Sequence, residues 1–181
     1  MGIIEFFINN YIDIQRSLLR HIQLVGISVL IGMVISIPLG IFLSRHKRIA
    51  GPVLAIAGTI QTIPGLVMLG FALILFGIGL FPALVVLSLY AILPILRNTY
   101  TGITEVEPSY IEAGRGIGMT NMQILTKVEL PLSLPSIISG IRISTVYIVS
   151  WSTLAGLIGA GGLGDLIWTG LSNYNSNYIM A

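Results

Sequence analysis

Apolar and polar residues are segregated into long blocks along this chain. The first apolar block, Ile22 to Ser44, carries no charge and stops at the basic cluster Arg45, His46, Lys47 and Arg48. A second charge-free block runs from Ile49 to Leu96, enough for two membrane-crossing helices of about 20 residues each. Its break falls at Gly77-Ile78-Gly79-Leu80-Phe81-Pro82, where two glycines and a proline favour a turn. A polar stretch from Asn98 to Glu129 follows, then an apolar block from about Leu132 to Leu157, a glycine-rich stretch and an Asn-containing tail. An ionised side chain at mid-bilayer costs roughly 2.5–3.5 kcal/mol, so the charges mark the loops. The pattern predicts an all-α integral membrane protein, a single transmembrane domain over residues 1–181. Its spans fall at about 22–44, 52–76, 82–100 and 132–157.

Composition removes the soluble alternative. Hydrophobic residues make up 55% of the 181 positions and charged ones 9%, against about 25% charged in a soluble domain. The mean hydropathy of +0.95 agrees. A net charge of +2 gives no reason to invoke nucleic acid, and the absence of cysteine excludes disulfides and thiolate metal sites. Arg16 and Arg20 before the first block imitate a secretory leader, but the run is too long and lacks a small-x-small cleavage site. It reads as a retained helix. Arg45, Lys47, Arg48, Arg97, Arg115, Lys127 and Arg142 fall on one side of the implied bilayer, Arg16 and Arg20 on the other. Basic residues collect inside, which puts the N-terminus, the Gly79 turn and the glycine-rich region 156–165 outside.

Within the spans, Pro38, Pro64, Pro94 and Pro135 read as kinks whose freed carbonyls neighbouring helices satisfy. Gln61-Thr62-Ile63-Pro64-Gly65 places two polar side chains beside a Pro-Gly break, which suits a helix facing protein or a watery path. Gln61, Thr62 and Pro64 are therefore pathway candidates. Tyr147 and Trp151 are one turn apart; interface anchoring and a pathway position, where their rings would meet a cation, both fit. Arg142 is expected to snorkel to the cytoplasm. His21 and His46 stand apart near helix ends, so the pattern offers no metal set. Gly159-Ala160-Gly161-Gly162-Leu163-Gly164 matches the dinucleotide fingerprint, but no strand precedes it, and an outward loop or broken helix is the better reading. Asp165 after it reads as a helix cap or as a contact for another protein outside the membrane. No P-loop occurs, so the sequence implies no ATP hydrolysis, catalysis or cofactor of its own.

The polar stretch has internal organisation. Pro108 suits a first helical position, Gly116 or Gly118 can take the left-handed conformation that ends a helix, and Thr120 with Gln123 makes a capping box. Pro131 is expected to end the second helix before the chain re-enters the membrane. Two short helices over about 108–130 make a protruding knob.

Here the chain resembles the membrane subunits of type I ABC importers. Their pattern Glu-Ala-Ala-x3-Gly-x9-Ile-x-Leu-Pro is met by Glu112, Ala113, Gly118, Leu130 and Pro131, with Gly114 for the second Ala and Val128 for Ile. The resemblance implies an ATPase-coupling element, with Ile111, Ile117, Met119 and Leu125 as apolar anchors. It also implies a methionine-importer-like helical bundle in a bacterial plasma membrane and a second permease copy or paralogue. Cytoplasmic ATPase subunits bind the ATP, and an external binding protein, separate or fused, delivers the cargo. Gln61-Thr62-Ile63-Pro64, Leu93 to Thr99 and Ala155 to Gly164 are similar to the osmoprotectant branch, which moves glycine betaine, carnitine and choline; methionine importers share the last segment. Members of the family carry a further span after that region, where this chain reaches Ala181.

Overall fold

The computed structural model describes residues 3–180, whose regular secondary structure is helical, with no strand among them. Ten α-helices follow in order: α1 (Ile3–Asn9), α2 (Tyr11–Arg45), α3 (Lys47–Thr62), α4 (Gly65–Phe76), α5 (Leu80–Thr104), α6 (Pro108–Gly116), α7 (Asn121–Ile124), α8 (Leu130–Ser152), α9 (Leu163–Ser172) and α10 (Ser176–Met180). A π-turn, Leu125–Glu129, joins α7 to α8, and a 3₁₀ turn, Leu154–Ile158, follows α8. Three helical stretches are long and apolar enough to cross a membrane: Tyr11–Arg45, Leu80–Thr104 and Asn121–Ser152.

α5 is the central helix, packed between α2 and α8. In lipid, apolar side chains gain nothing by leaving their solvent, so helices associate where small residues let backbones approach. On α2, Ser28, Gly32, Ser36, Gly40 and Ser44 recur every fourth position and are all buried. A Cβ on Gly32 would crowd the Cβ of Ala91, and one on Gly40 the side chain of Thr99, both on α5. The hydroxyl of Ser36 donates to the carbonyl of Ile92 at 3.0 Å. α8 presents a similar face: Gly140 lies against the backbone of Pro94 and Ile95, and the Ser144 hydroxyl donates to the carbonyl of Ala91 at 3.1 Å.

The helices depart from the expected limits by a few residues at several ends, as where α8 stops at Ser152, and more fully in three places. α2 begins at Tyr11, two turns and more before Ile22, because Arg16 and Arg20 sit near its end where charge is tolerated. The segment expected as one span over 52–76 is two helices bent by 91°. Pro64 pushes Ile63 into the extended region (φ −71°, ψ 129°), which ends α3 at Thr62. Pro131 does not end a helix. Asn121 to Ser152 is one helical stretch, with Pro131 in the first turn of α8 directly after the π-turn. The wider turn takes the backbone ladder out of α-helical register just before the ring, so the missing N–H falls where the ladder is already interrupted.

Candidate functional site

Two groupings of polar and aromatic residues lie at different depths of the bundle. The first is the knob between α5 and α8. α6 closes in a Schellman motif: Met119 N–H donates to the carbonyl of Gly114 and Gly118 N–H to that of Arg115, each at 3.0 Å. Gly118 supplies the positive φ, +82°, that this closure requires, while Gly116 stays helical. The capping box then starts α7. The Gln123 N–H donates to Thr120 Oγ1 at 3.3 Å, and the Thr120 N–H donates to Gln123 Oε1 at 2.8 Å. A left-handed residue at Gly118 and an extended one at Thr120, each held by contacts within six residues, thus set the angle between α6 and α7.

Ile124 is buried beneath the knob and Gly114 lies against it and against the sulfur of Met119. Glu112 and Ala113 are exposed on α6, and Ile117 and Met122 project with 76% and 68% of their surface accessible. Of the anchors expected from sequence, Ile117 is fully presented, whereas Ile111, Met119 and Leu125 are half-buried. Met122 and Tyr110, both exposed, join the outer apolar surface unforeseen. Val128 and Leu130 are half-buried and Pro131 is exposed, so this end of the family pattern lies in the root of the knob.

Glu129 anchors that root. It is buried, 3% accessible, and both its carboxylate oxygens accept from the guanidinium of Arg45 at the end of α2; the Nη1–Oε1 distance is 3.0 Å. A buried carboxylate is tolerated only with such a partner, and the forked geometry of Arg fixes orientation as well as charge. Arg45 therefore ties the π-turn under the knob to the longest helix of the bundle.

The second grouping is a cavity of about 190 Å³ lined by Gln61, Tyr90, Tyr147 and Trp151. It sits where α3 breaks from α4. Trp151 stacks on Tyr90 with ring centroids 5.3 Å apart and planes 28° off parallel. Gln61 Nε2 donates to the carbonyl of Tyr90 at 3.0 Å, and the Tyr90 hydroxyl donates to the carbonyl of Ile63, an acceptor released by the break. A Cβ on Gly65 would fall inside the indole of Trp151, so glycine at the start of α4 is what admits the ring. Three of the five pathway candidates, Gln61, Tyr147 and Trp151, thus meet. Thr62 is exposed and donates to the Thr59 carbonyl at 2.7 Å, and Pro64 makes the bend without lining the cavity. Tyr90, reached from α5, was missed.

At the far end, the glycine-rich region is a 3₁₀ turn and a short connection into α9, clasped by α2. Arg20 Nε donates to the carbonyl of Ala160 at 3.2 Å, and the buried His21 ring lies 2.8 Å from the Ser152 hydroxyl. Asp165 makes no side-chain cap; it occupies the first turn of α9, where its charge complements the helix dipole.

Residues 32–181 match the family described as binding-protein-dependent transport system inner membrane component. The chain belongs to this family. The permease is 46% identical, over 98% of its length and 82% of the relative's, to the choline transport system permease protein OpuBB of Bacillus subtilis. It is 47% identical over 89% of its length to the glycine betaine/carnitine/choline transport system permease protein OpuCB of the same organism, covering 74% of it. To the carnitine transport permease protein OpuCB of Listeria monocytogenes it is 42% identical over 99% of its length and 82% of the relative's. Among solved structures, an inward-facing form of the MetNI methionine ABC transporter superposes with a TM-score of 0.80 at 29% identity, covering 92% of the permease and 84% of that chain. An amino acid ABC transporter shares the fold at a TM-score of 0.75 and 22% identity, over 99% and 88% of the two chains. The permease thus has the type I ABC importer fold.

Proposed function

We propose that the permease forms the membrane path of an ATP-driven importer for quaternary-amine osmoprotectants, and that its knob is the element a cytoplasmic ATPase subunit grips. The observation that carries this is the presentation of Glu112 beside exposed Ile117 and Met122 on two helices of fixed angle, rooted through Glu129 and Arg45. An exposed carboxylate on the same knob as exposed apolar side chains suits a groove that buries a few anchors and pairs one charge. Closure of the ATPase pair would move the knob as a rigid body, and the Arg45–Glu129 tie would carry that displacement into α2 and α8. Basic residues gathered at the Arg45 end support a cytoplasmic knob, with the N-terminus and glycine-rich region outside, where a binding protein would deliver cargo. A second copy or a paralogue would complete the path.

The cargo class is favoured by the similarity of 46–47% to permeases of choline, glycine betaine and carnitine systems. The second reading, an amino-acid importer, has the 29% likeness to the methionine transporter behind it. Substrate-stimulated ATPase activity of the reconstituted complex separates them. Choline, carnitine or glycine betaine should stimulate and methionine should not; stimulation by methionine alone would reassign the cargo, and uptake without ATP would refute the importer.

A further inference from the structure

The cavity at the α3–α4 break has a chemistry of its own. None of its four lining side chains, Gln61, Tyr90, Tyr147 and Trp151, is a carboxylate, an amine or a guanidinium that carries charge at neutral pH. A primary ammonium entering it would give up hydrogen bonds to water without a carboxylate in exchange, and a carboxylate would find no Lys or Arg there. A fully methylated ammonium has no N–H to lose, spreads its charge over its methyl groups and is attracted by the faces of Trp and Tyr. Three of the four lining residues are such rings.

The rings are also held in place. Tyr90 is fixed by its hydroxyl to Ile63 and stacks on Trp151, and the six-membered ring of that indole lies against Gly65. Gln61 is held through Nε2, and no hydrogen bond among the described residues uses its Oε1, which can accept a ligand hydroxyl. Tyr147, one turn before Trp151 and 52% accessible, stands at the mouth. The volume of about 190 Å³ is below the range of about 300–1,000 Å³ for drug-sized ligands and suits a small head group. Tyr90 lies about 15 Å along α5 from its start at Leu80, at 1.5 Å per residue. Non-helical backbone at that depth, such as the extended Ile63–Pro64 pair, is tolerated in a membrane where it is covered by protein or lines a cavity.

We propose that this cavity is a binding site within the permease for a quaternary ammonium head, held by the rings of Tyr147, Trp151 and Tyr90. Gln61 Oε1 accepts from a hydroxyl carried by the same ligand. Rings without a carboxylate give modest affinity, which a site on a path needs if the ligand is to leave again. The inference rests on the cargo class given above.

Trp151 and Trp168 are the two tryptophans of the chain, so Trp168→Phe leaves Trp151 as the sole indole of the permease, and the same complex carrying Trp151→Phe as well supplies the background from indoles of the other proteins present. In this background, the complex with its ATPase but without the binding protein is titrated in nanodiscs with choline and with its neutral carbon isostere, dimethylbutanol. Choline should change Trp151 fluorescence saturably, with dimethylbutanol at least about tenfold weaker, as expected for a site that reads charge through rings. Tyr147→Leu should weaken choline about five- to tenfold, and Tyr147→Phe should restore it, since the ring and not the hydroxyl is used. Equal response to the two ligands, no saturable response, or an unchanged affinity in Tyr147→Leu would overturn the site. Choline-stimulated ATPase activity of the wild-type complex with its binding protein is measured alongside. If that stimulation is present while the cavity is silent, the cavity assignment alone falls; if choline, carnitine and glycine betaine all fail to stimulate, the cargo class falls and the site with it.

Discussion

The knob and the aromatic cavity are built by different means. In the knob, every defining contact closes within a few residues: Pro108 opens α6, Gly118 ends it, and Thr120 and Gln123 cap α7. The cavity draws its walls from residues 61, 90, 147 and 151, which meet only because small residues let α2, α5 and α8 pack closely and because Pro64 bends the chain. Local rules thus shape the surface offered to a partner, and global packing shapes the interior. The Arg45–Glu129 pair belongs to both, since it joins positions far apart in sequence to hold a locally built element.

The contrast is broken most severely by Gly118→Pro. The ring fixes φ near −65° where the turn needs +82°, so the α6–α7 angle is lost at a cost of about 3 kcal/mol or more. Pull-down should then recover no ATPase subunit, while choline titration of Trp151 in the cavity remains as in the parent. Removing one member of the buried pair comes next. Glu129→Gln or Arg45→Ala should destabilise by roughly 2–3 kcal/mol, less than the 3–5 kcal/mol of a fully buried pair because Arg45 is 42% accessible. The measurement is the thermal midpoint together with the ratio of choline taken up to ATP hydrolysed, which should fall because the knob moves without its tie.

Gly65→Ala tests the opposite region. The new methyl must displace the indole of Trp151, an overpacking cost of about 1–3 kcal/mol, and should alter Trp151 fluorescence in the Trp168→Phe background while leaving ATPase association intact. The smallest effect is expected from Gly114→Ala. The added Cβ would meet Ile124 and Met119 at 3.4 Å, ordinary contact distance, and the helix would gain about 0.5–1 kcal/mol, read as a small rise in thermal midpoint with unchanged coupling.

The same contrast accounts for what the sequence made legible. The capping box and the turn glycine were readable because their partners lie three to five residues apart. The polar run beside Pro64 announced a break, yet the segment was expected as a single span, since hydropathy averages over a bend and cannot register its angle. Tyr90 escaped notice because an aromatic in mid-helix carries no local signal; its role comes from a carbonyl on another helix that Pro64 released. Nothing local sets Glu129 apart from the other carboxylates of the polar stretch, and only the arrival of Arg45 from α2 explains its burial. The stripe from Ser28 to Ser44 was visible in the four-residue spacing and was passed over in favour of the charges. Pro131 was expected to stop a helix because a proline rule read alone ignores the π-turn that precedes it.

The knob's role as the ATPase contact is tested most directly by co-elution. The permease and its ATPase subunit are expressed together and passed over a sizing column, with Glu112→Lys compared against the parent. The charge reversal lies on an exposed position and leaves the turn, the capping box and the Arg45–Glu129 pair in place. Loss of the ATPase subunit from the permease peak, with the permease itself eluting unchanged, is the expected result. Undiminished co-elution of Glu112→Lys together with full choline-stimulated ATP hydrolysis would contradict it.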